Sequence, residues 1–192
     1  MAALNEIFDD ARRQLTQRLS RNRLLHSVST AKTAVALAEL YAVDTEYARI
    51  AGMLHDWDKK YSDAELLERA RELGLASTEV GDFALPVIHA QTGALALARQ
   101  YPDLPPEIIQ AIARHTAAAI DMSDLDMVIY VADMLEPLRA RPELAELRSL
   151  VGKVSLRELF AACFRTTFAY LQSSQAQLDP TTLAIFAALA EG

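Results

Sequence analysis

The sequence is poor in the residues that break or staple a chain. Among 192 residues there are 6 glycines, 7 prolines and a single cysteine, Cys163. Sparse breakers and 52% apolar residues fit a compact, mostly helical globule rather than a disordered chain. One cysteine cannot close an internal disulfide and agrees with a reducing cytosol, so a cytoplasmic location is expected. No apolar run approaches the roughly 20 residues of a membrane span. Met1 to Asp10 is acidic and lacks the apolar run of a secretory signal, so no membrane partner is expected. The net charge of −7 leaves too little positive charge for broad contact with phosphate backbones, and no nucleic acid is expected either. A small phosphate ligand stays compatible, because divalent cations in a pocket reverse the local field.

What is present reads as helix after helix. At this length one well-buried core is expected, with at most a small appendage. Leu4 to Leu19 forms an amphipathic helix with Ile7, Phe8, Ala11, Leu15 and Leu19 on one side. A second helix, Asn22 to Tyr41, shows Leu25, Val28, Ala31, Val35 and Leu37 to Leu40 as its apolar stripe. Asp44-Thr45 opens a third that ends at His55-Asp56, with Gly52 keeping it slim for a close neighbour. Ser62 to Glu65 is a capping box for a polar helix through Leu73, stopped by Gly74. After a loop to about Ala84, Pro86 suits the first turn of a helix that carries His89 and runs to Gln100. Pro105-Pro106 starts another, Glu107 to His115, and Ser123 to Asp126 caps one that reaches Glu136 before Pro137. From Arg139 two or three further helices follow; Ser155 to Glu158 caps the longest and Asp179-Pro180 opens the last. The fold class is all-α, a helical bundle, with no strand-like alternation of useful length.

Only four histidines occur, His26, His55, His89 and His115, each near an end of a separate helix. Neighbouring side chains on a helix point about 100° apart, so His55 and Asp56 cannot hold one ion alone. Asp133 lies among Val128, Ile129, Val131, Ala132, Met134 and Leu135, where an ionised carboxylate is costly unless paired or bound to metal. Any one of these histidines is more often a surface or core residue. The ordered set, with none left over, points instead to a shared site. Imidazoles with carboxylates suit iron, manganese or zinc better than magnesium or calcium.

The order His26, His55-Asp56, His89, His115, Asp133 resembles the metal-binding signature of the HD-domain phosphohydrolase superfamily. Arg23 to Ser27, Ala51 to Lys59, Ala111 to Thr116 and Ala132 to Arg139 are similar to its YqeK-like branch, the symmetrical diadenosine-tetraphosphate hydrolases. The resemblance spans roughly residues 21–141. It implies an HD-type metal-binding core over 21–141, which leaves the N-terminal helix as 1–20 and a C-terminal helical extension, packed on the core, as 142–192. It also implies two divalent metal ions, commonly iron, with manganese or zinc as substitutes. His26, His55, Asp56 and Asp133 would bind one ion, and His89 and His115 the other, with Asp56 bridging. The chain departs from the branch in having Ala117-Ala118-Ala119 where a Thr-Gly-Arg-like run follows the fourth histidine. It also has His89-Ala90 for His-Gly, and Trp57 and Asp58 in place of small or aliphatic residues.

The chemistry expected is attack of an activated water in line at phosphorus. Lys59 and Arg139 are the candidates for countering charge there, and Arg23 and Thr116 are further candidates for binding substrate. Glu136 is one turn beyond Asp133 and suits orienting a ligand from behind. Trp57 and Tyr130 either stack on a base or pack the core. The leading expectation is symmetrical cleavage of diadenosine tetraphosphate to two ADP. Hydrolysis of another nucleotide (a mono- or triphosphate or an alarmone) and a non-catalytic nucleotide-binding regulatory module are the alternatives. In the extension, Leu156, Leu159, Phe160, Cys163, Phe164, Phe168 and Leu171 form a stripe that either covers the core or makes a homodimer face.

Overall fold

The computed structural model describes residues 2–75, 87–174 and 180–189, and among these every regular element is a helix. In chain order they are α1 (Ala2–Arg18), α2 (Arg21–Leu40), α3 (Thr45–Leu54), α4 (Asp63–Glu72) and α5 (Ile88–Gln100), then α6 (Pro106–Arg114), α7 (Asp124–Leu135), α8 (Leu144–Leu150), α9 (Leu156–Ser173) and α10 (Pro180–Ala188). The starts follow local chemistry. Ser20 and Asp44 accept hydrogen bonds from Arg23 N–H and Tyr47 N–H, capping α2 and α3. Capping boxes open α4, α7 and α9, and Pro106 stands at the first position of α6. Gly74, at φ 77°, ends α4 in the left-handed conformation that costs glycine little. Pro86, the loop to Ala84 and Asp179 lie outside the described residues.

The short α3 is the hub, packed against α1, α2, α6 and α7. Its Gly52 lies so close to α2 that a Cβ there would stand 2.9 Å from Ala31 Cα. This contact rotates α2 relative to its hydropathy. The face turned inward carries Ser27, Thr30, Ala31, Ala34, Leu37 and Ala38, whereas Leu25 and Leu40 are left about half exposed. Small side chains win that face because only they permit the close approach. A second correction concerns Trp57, which is fully buried with the Arg18 guanidinium 4.5 Å from its ring. It packs the core and offers no face to a base.

The stripe of α9 is used within the chain: Phe160 and Phe164 pack on Tyr130 of α7, and Phe168 stacks on Phe186 of α10 at 3.9 Å. Among the described residues no helix is long and apolar enough to cross a membrane.

Candidate metal centre

The ends of helices converge on one point. His55 is the C-cap of α3 and His115 the C-cap of α6, while His89 is the second residue of α5. His26 comes from the second turn of α2 and Asp133 from the last turn of α7. Past the end of α3, successive tight turns (Trp57 N–H to Leu54 O, Lys59 N–H to Asp56 O) hold Asp56 and Lys59 beside His55.

All four imidazoles and both carboxylates meet. His26 Nε2 lies 2.9 Å from Asp133 Oδ1 and 3.2 Å from His55 Nε2. The two oxygens of Asp56 face opposite halves of the cluster. Oδ2 is 3.7 Å from His55 Nε2 and 3.9 Å from His26 Nε2, whereas Oδ1 is 3.4 Å from His89 Nε2 and 3.9 Å from His115 Nε2. Three sets (His26-His55-Asp56, His55-His115-Asp133 and Asp56-His89-His115) each bring one donor atom per residue within 4.8 Å of the others. The cluster can therefore hold metal.

Three rings are locked from behind. His55 Nδ1–H donates to Gly52 O at 2.8 Å, His115 Nδ1–H donates to Ile112 O at 2.7 Å, and His26 Nδ1 pairs with Glu136 Oε1 at 3.1 Å. In each case Nε2 is the nitrogen left for the cluster, the arrangement that orients metal-binding histidines. At His89, His115 and Asp56 the titration behaviour has the same sense, whereas at His26 burial is outweighed by Asp133 and Glu136, which raise it. Burial and the neighbouring imidazoles push His115 down to about 3, and burial lowers His89. Burial works against ionising Asp56, yet the surrounding imidazoles hold it well below the ordinary carboxylate range. Neutral imidazole and ionised carboxylate are the forms that coordinate metal.

Four further side chains expected at the site line a cavity over this cluster: Arg23, Lys59, Thr116 and Arg139. Arg23 Nη1 is 3.3 Å from Asp56 Oδ2, and Arg139 Nη2 is 2.6 Å from Asp133 Oδ1. Lys59 Nζ stands 3.2 and 3.3 Å from the two ring nitrogens of His89, and burial lowers its pKa. Thr116 donates to Val87 O at 3.4 Å, and Tyr130 is buried with its hydroxyl on Thr167.

Some supports were not legible from spacing. Arg148 of α8 donates to the carbonyls of Leu135, Glu136 and Arg139, each at 2.9 Å, and so braces the segment that presents Glu136 and Arg139. Asp58, fully buried, accepts from Arg18 of α1 and Arg69 of α4 and pins both helices to the turn after His55. The cavity also has walls from α9, Thr167, Tyr170 and Leu171, together with Arg141. For Asp58 the one sequence signal was a charge standing where the similar branch has small or aliphatic residues; the others left none.

Comparison with known proteins agrees with this arrangement. The HD domain profile matches residues 23–138. The symmetrical bis(5'-nucleosyl)-tetraphosphatase of Bacillus subtilis is 30% identical over 92% of this chain and 94% of its own. The protein of the same name from Halalkalibacterium halodurans is 28% identical, over 88% of this chain and 89% of its own. A crystal structure from Clostridium acetobutylicum, described as a predicted HD superfamily hydrolase involved in NAD metabolism, superposes with a TM-score of 0.86 at 28% identity, covering 96% of this chain and 97% of that one. With most of its length inside the matched profile and a relative 30% identical along nearly all of it, the chain belongs to the HD domain family.

Proposed function

We propose that this protein is a metal-dependent phosphohydrolase of the cytosol that cleaves a dinucleoside tetraphosphate, diadenosine tetraphosphate first, symmetrically into two nucleoside diphosphates. The observation that carries the reading is Asp56, whose two oxygens serve separate histidine pairs beneath a cavity that Arg23, Lys59 and Arg139 line. The names of the bacterial relatives support the substrate. The single, buried Cys163 supports the compartment.

In this reading His26, His55, Asp56 and Asp133 hold one ion, and His89 and His115 hold a second with Asp56 shared. The mixed nitrogen and oxygen donors suit iron, with manganese or zinc as substitutes. Bound there, divalent cations supply Lewis-acid charge and lower the pKa of water towards neutrality. Lys59 and Arg139 donate hydrogen bonds to phosphoryl oxygens as negative charge grows on them. Arg23 reaches the cavity beside Asp56, and Thr116 lines the same space. Arg23, Lys59 and Arg139 supply positive charge for the phosphates without any arginine in Ala117-Ala118-Ala119.

The test is direct. Protein reconstituted with iron or manganese is incubated with diadenosine tetraphosphate and the products are separated by chromatography. ADP as the sole product is expected, with Asp56→Ala at background and depleted of metal. ATP with AMP, or no turnover by the fully loaded protein, would reject the reading.

A further inference from the structure

The cavity over the cluster has two chemically distinct halves, and the hydrolytic chemistry uses only one. On the polar side stand Asp56, His89, His115 and Asp133 with the cations Arg23, Lys59 and Arg139. On the other side are Tyr130, Met134, Thr167, Tyr170 and Leu171, with Arg141 beside them. Tyr170, Thr167 and Leu171 belong to α9, beyond the last residue of the HD domain match.

Tyr170 is conspicuous in this wall. It is 58% exposed, while its α9 neighbours Phe160, Phe164 and Phe168 are buried. The Arg141 guanidinium lies 5.5 Å from the ring centroid, and Arg141 is itself steadied by Glu143, with Nε 2.7 Å from Oε1. An exposed ring at a cavity edge, with a guanidinium beside it, is a platform for a flat, electron-rich group. The platform is also tied to the metal-bearing helix. Thr167, one turn before Tyr170, accepts a hydrogen bond from Tyr130, which lies three residues before Asp133 on α7. Arg141 follows Arg139, whose guanidinium rests on Asp133.

We propose that Tyr170 and Arg141 form the nucleobase subsite of this enzyme, so that α9 reads the nucleoside while the helices before it handle the phosphates. The inference rests on the nucleotide reading above and deepens it. The cavity, about 300 Å³, lies at the lower end of the range of small-molecule sites and takes one nucleoside end of the substrate, not both. Tyr170 and Arg141 therefore act on binding, and their loss weakens substrate capture without altering the attack on phosphorus.

The experiment compares calorimetric binding of ADP and of inorganic pyrophosphate to metal-loaded wild type, Tyr170→Ala and Tyr170→Phe, with melting temperatures as the check on folding. Tyr170→Ala should weaken ADP roughly tenfold, within the span of a base–aromatic stack, and leave pyrophosphate unchanged. Tyr170→Phe, which keeps the ring, should restore ADP binding. Steady-state kinetics with diadenosine tetraphosphate should show the same loss in KM with kcat nearly preserved. Unchanged ADP affinity in Tyr170→Ala, or an equal loss for pyrophosphate, would overturn the subsite. Wild type that binds ADP through Tyr170 but turns over no dinucleoside tetraphosphate would overturn the proposed activity and leave the subsite standing.

Discussion

If the cluster takes metal as proposed, loading is coupled to the protonation state of His26. Burial alone would lower its pKa, but the hydrogen bonds and charges of Asp133 and Glu136 outweigh burial and raise it above the ordinary imidazole value of 6.5. His26 therefore keeps its proton to a higher pH than a free histidine, and an incoming ion has to displace that proton. Metal loading is expected to weaken as pH falls through the raised His26 value and to release protons near neutrality. Titration calorimetry in buffers of different ionisation enthalpy measures that release; pH-independent loading between 5.5 and 8 would contradict it. The same imidazole depends on Glu136, buried at the end of α7 and 3.1 Å from its Nδ1. Glu136→Ala should lower metal affinity about 10- to 100-fold, the usual cost of removing a partner behind a ligand. A competitive chelator assay reads this, and wild-type affinity would show that His26 needs no such support. Of these two residues, the sequence displayed His26 as one of only four histidines. The pairing of Glu136 with that ring depended on α2 and α7 lying side by side.

At the scale of elements, the cluster is a consequence of how closely α2 and α3 approach. The place left for a side chain at Gly52 is 2.9 Å from Ala31 Cα, a backbone atom that cannot move aside alone. Gly52→Ala should therefore cost about 1–3 kcal/mol as overpacking, roughly 2–12 °C in melting temperature for a chain of this size. It should also reduce bound metal, because wedging the helices apart separates His26 from His55. Thermal denaturation and metal analysis of the same preparation check both effects, and full metal content in a destabilised variant would break the link between them. Hydropathy placed only part of this face. Of the expected stripe, Ala31, Leu37 and Ala38 are buried, but Leu25 and Leu40 are about half exposed, and Ser27, Thr30 and Ala34 complete the inner face instead. Periodicity locates an apolar stripe, whereas the neighbour's shape selects which stripe is used.

For the whole molecule, Asp58 joins parts that the histidine–aspartate cluster does not touch. It is fully buried and held by Arg18 and Arg69, so α1 and α4 are anchored to the turn that carries Asp56 and Lys59. Asp58→Asn removes the charge and leaves two partly buried guanidinium groups uncompensated. A loss of about 3–5 kcal/mol is expected, the cost of breaking a buried ion pair from one side. Urea unfolding of the metal-free protein measures it without interference from metal binding, and a midpoint equal to wild type would show that the clamp carries no stability. The sequence by itself determined the helical class, the capped helix starts and the set of histidines and aspartates, because each depends on local propensity, on caps a few residues long or on the scarcity of a residue type. Only the tertiary structure decided that Asp56 faces two histidine pairs, that Asp58 clamps two helices, that Trp57 is core, that Arg148 braces the segment carrying Glu136 and Arg139, and that Arg141 and Tyr170 reach the cavity. Those outcomes depend on contacts between helices far apart in the chain, and such contacts are set by packing distances and side-chain volumes that no local pattern encodes.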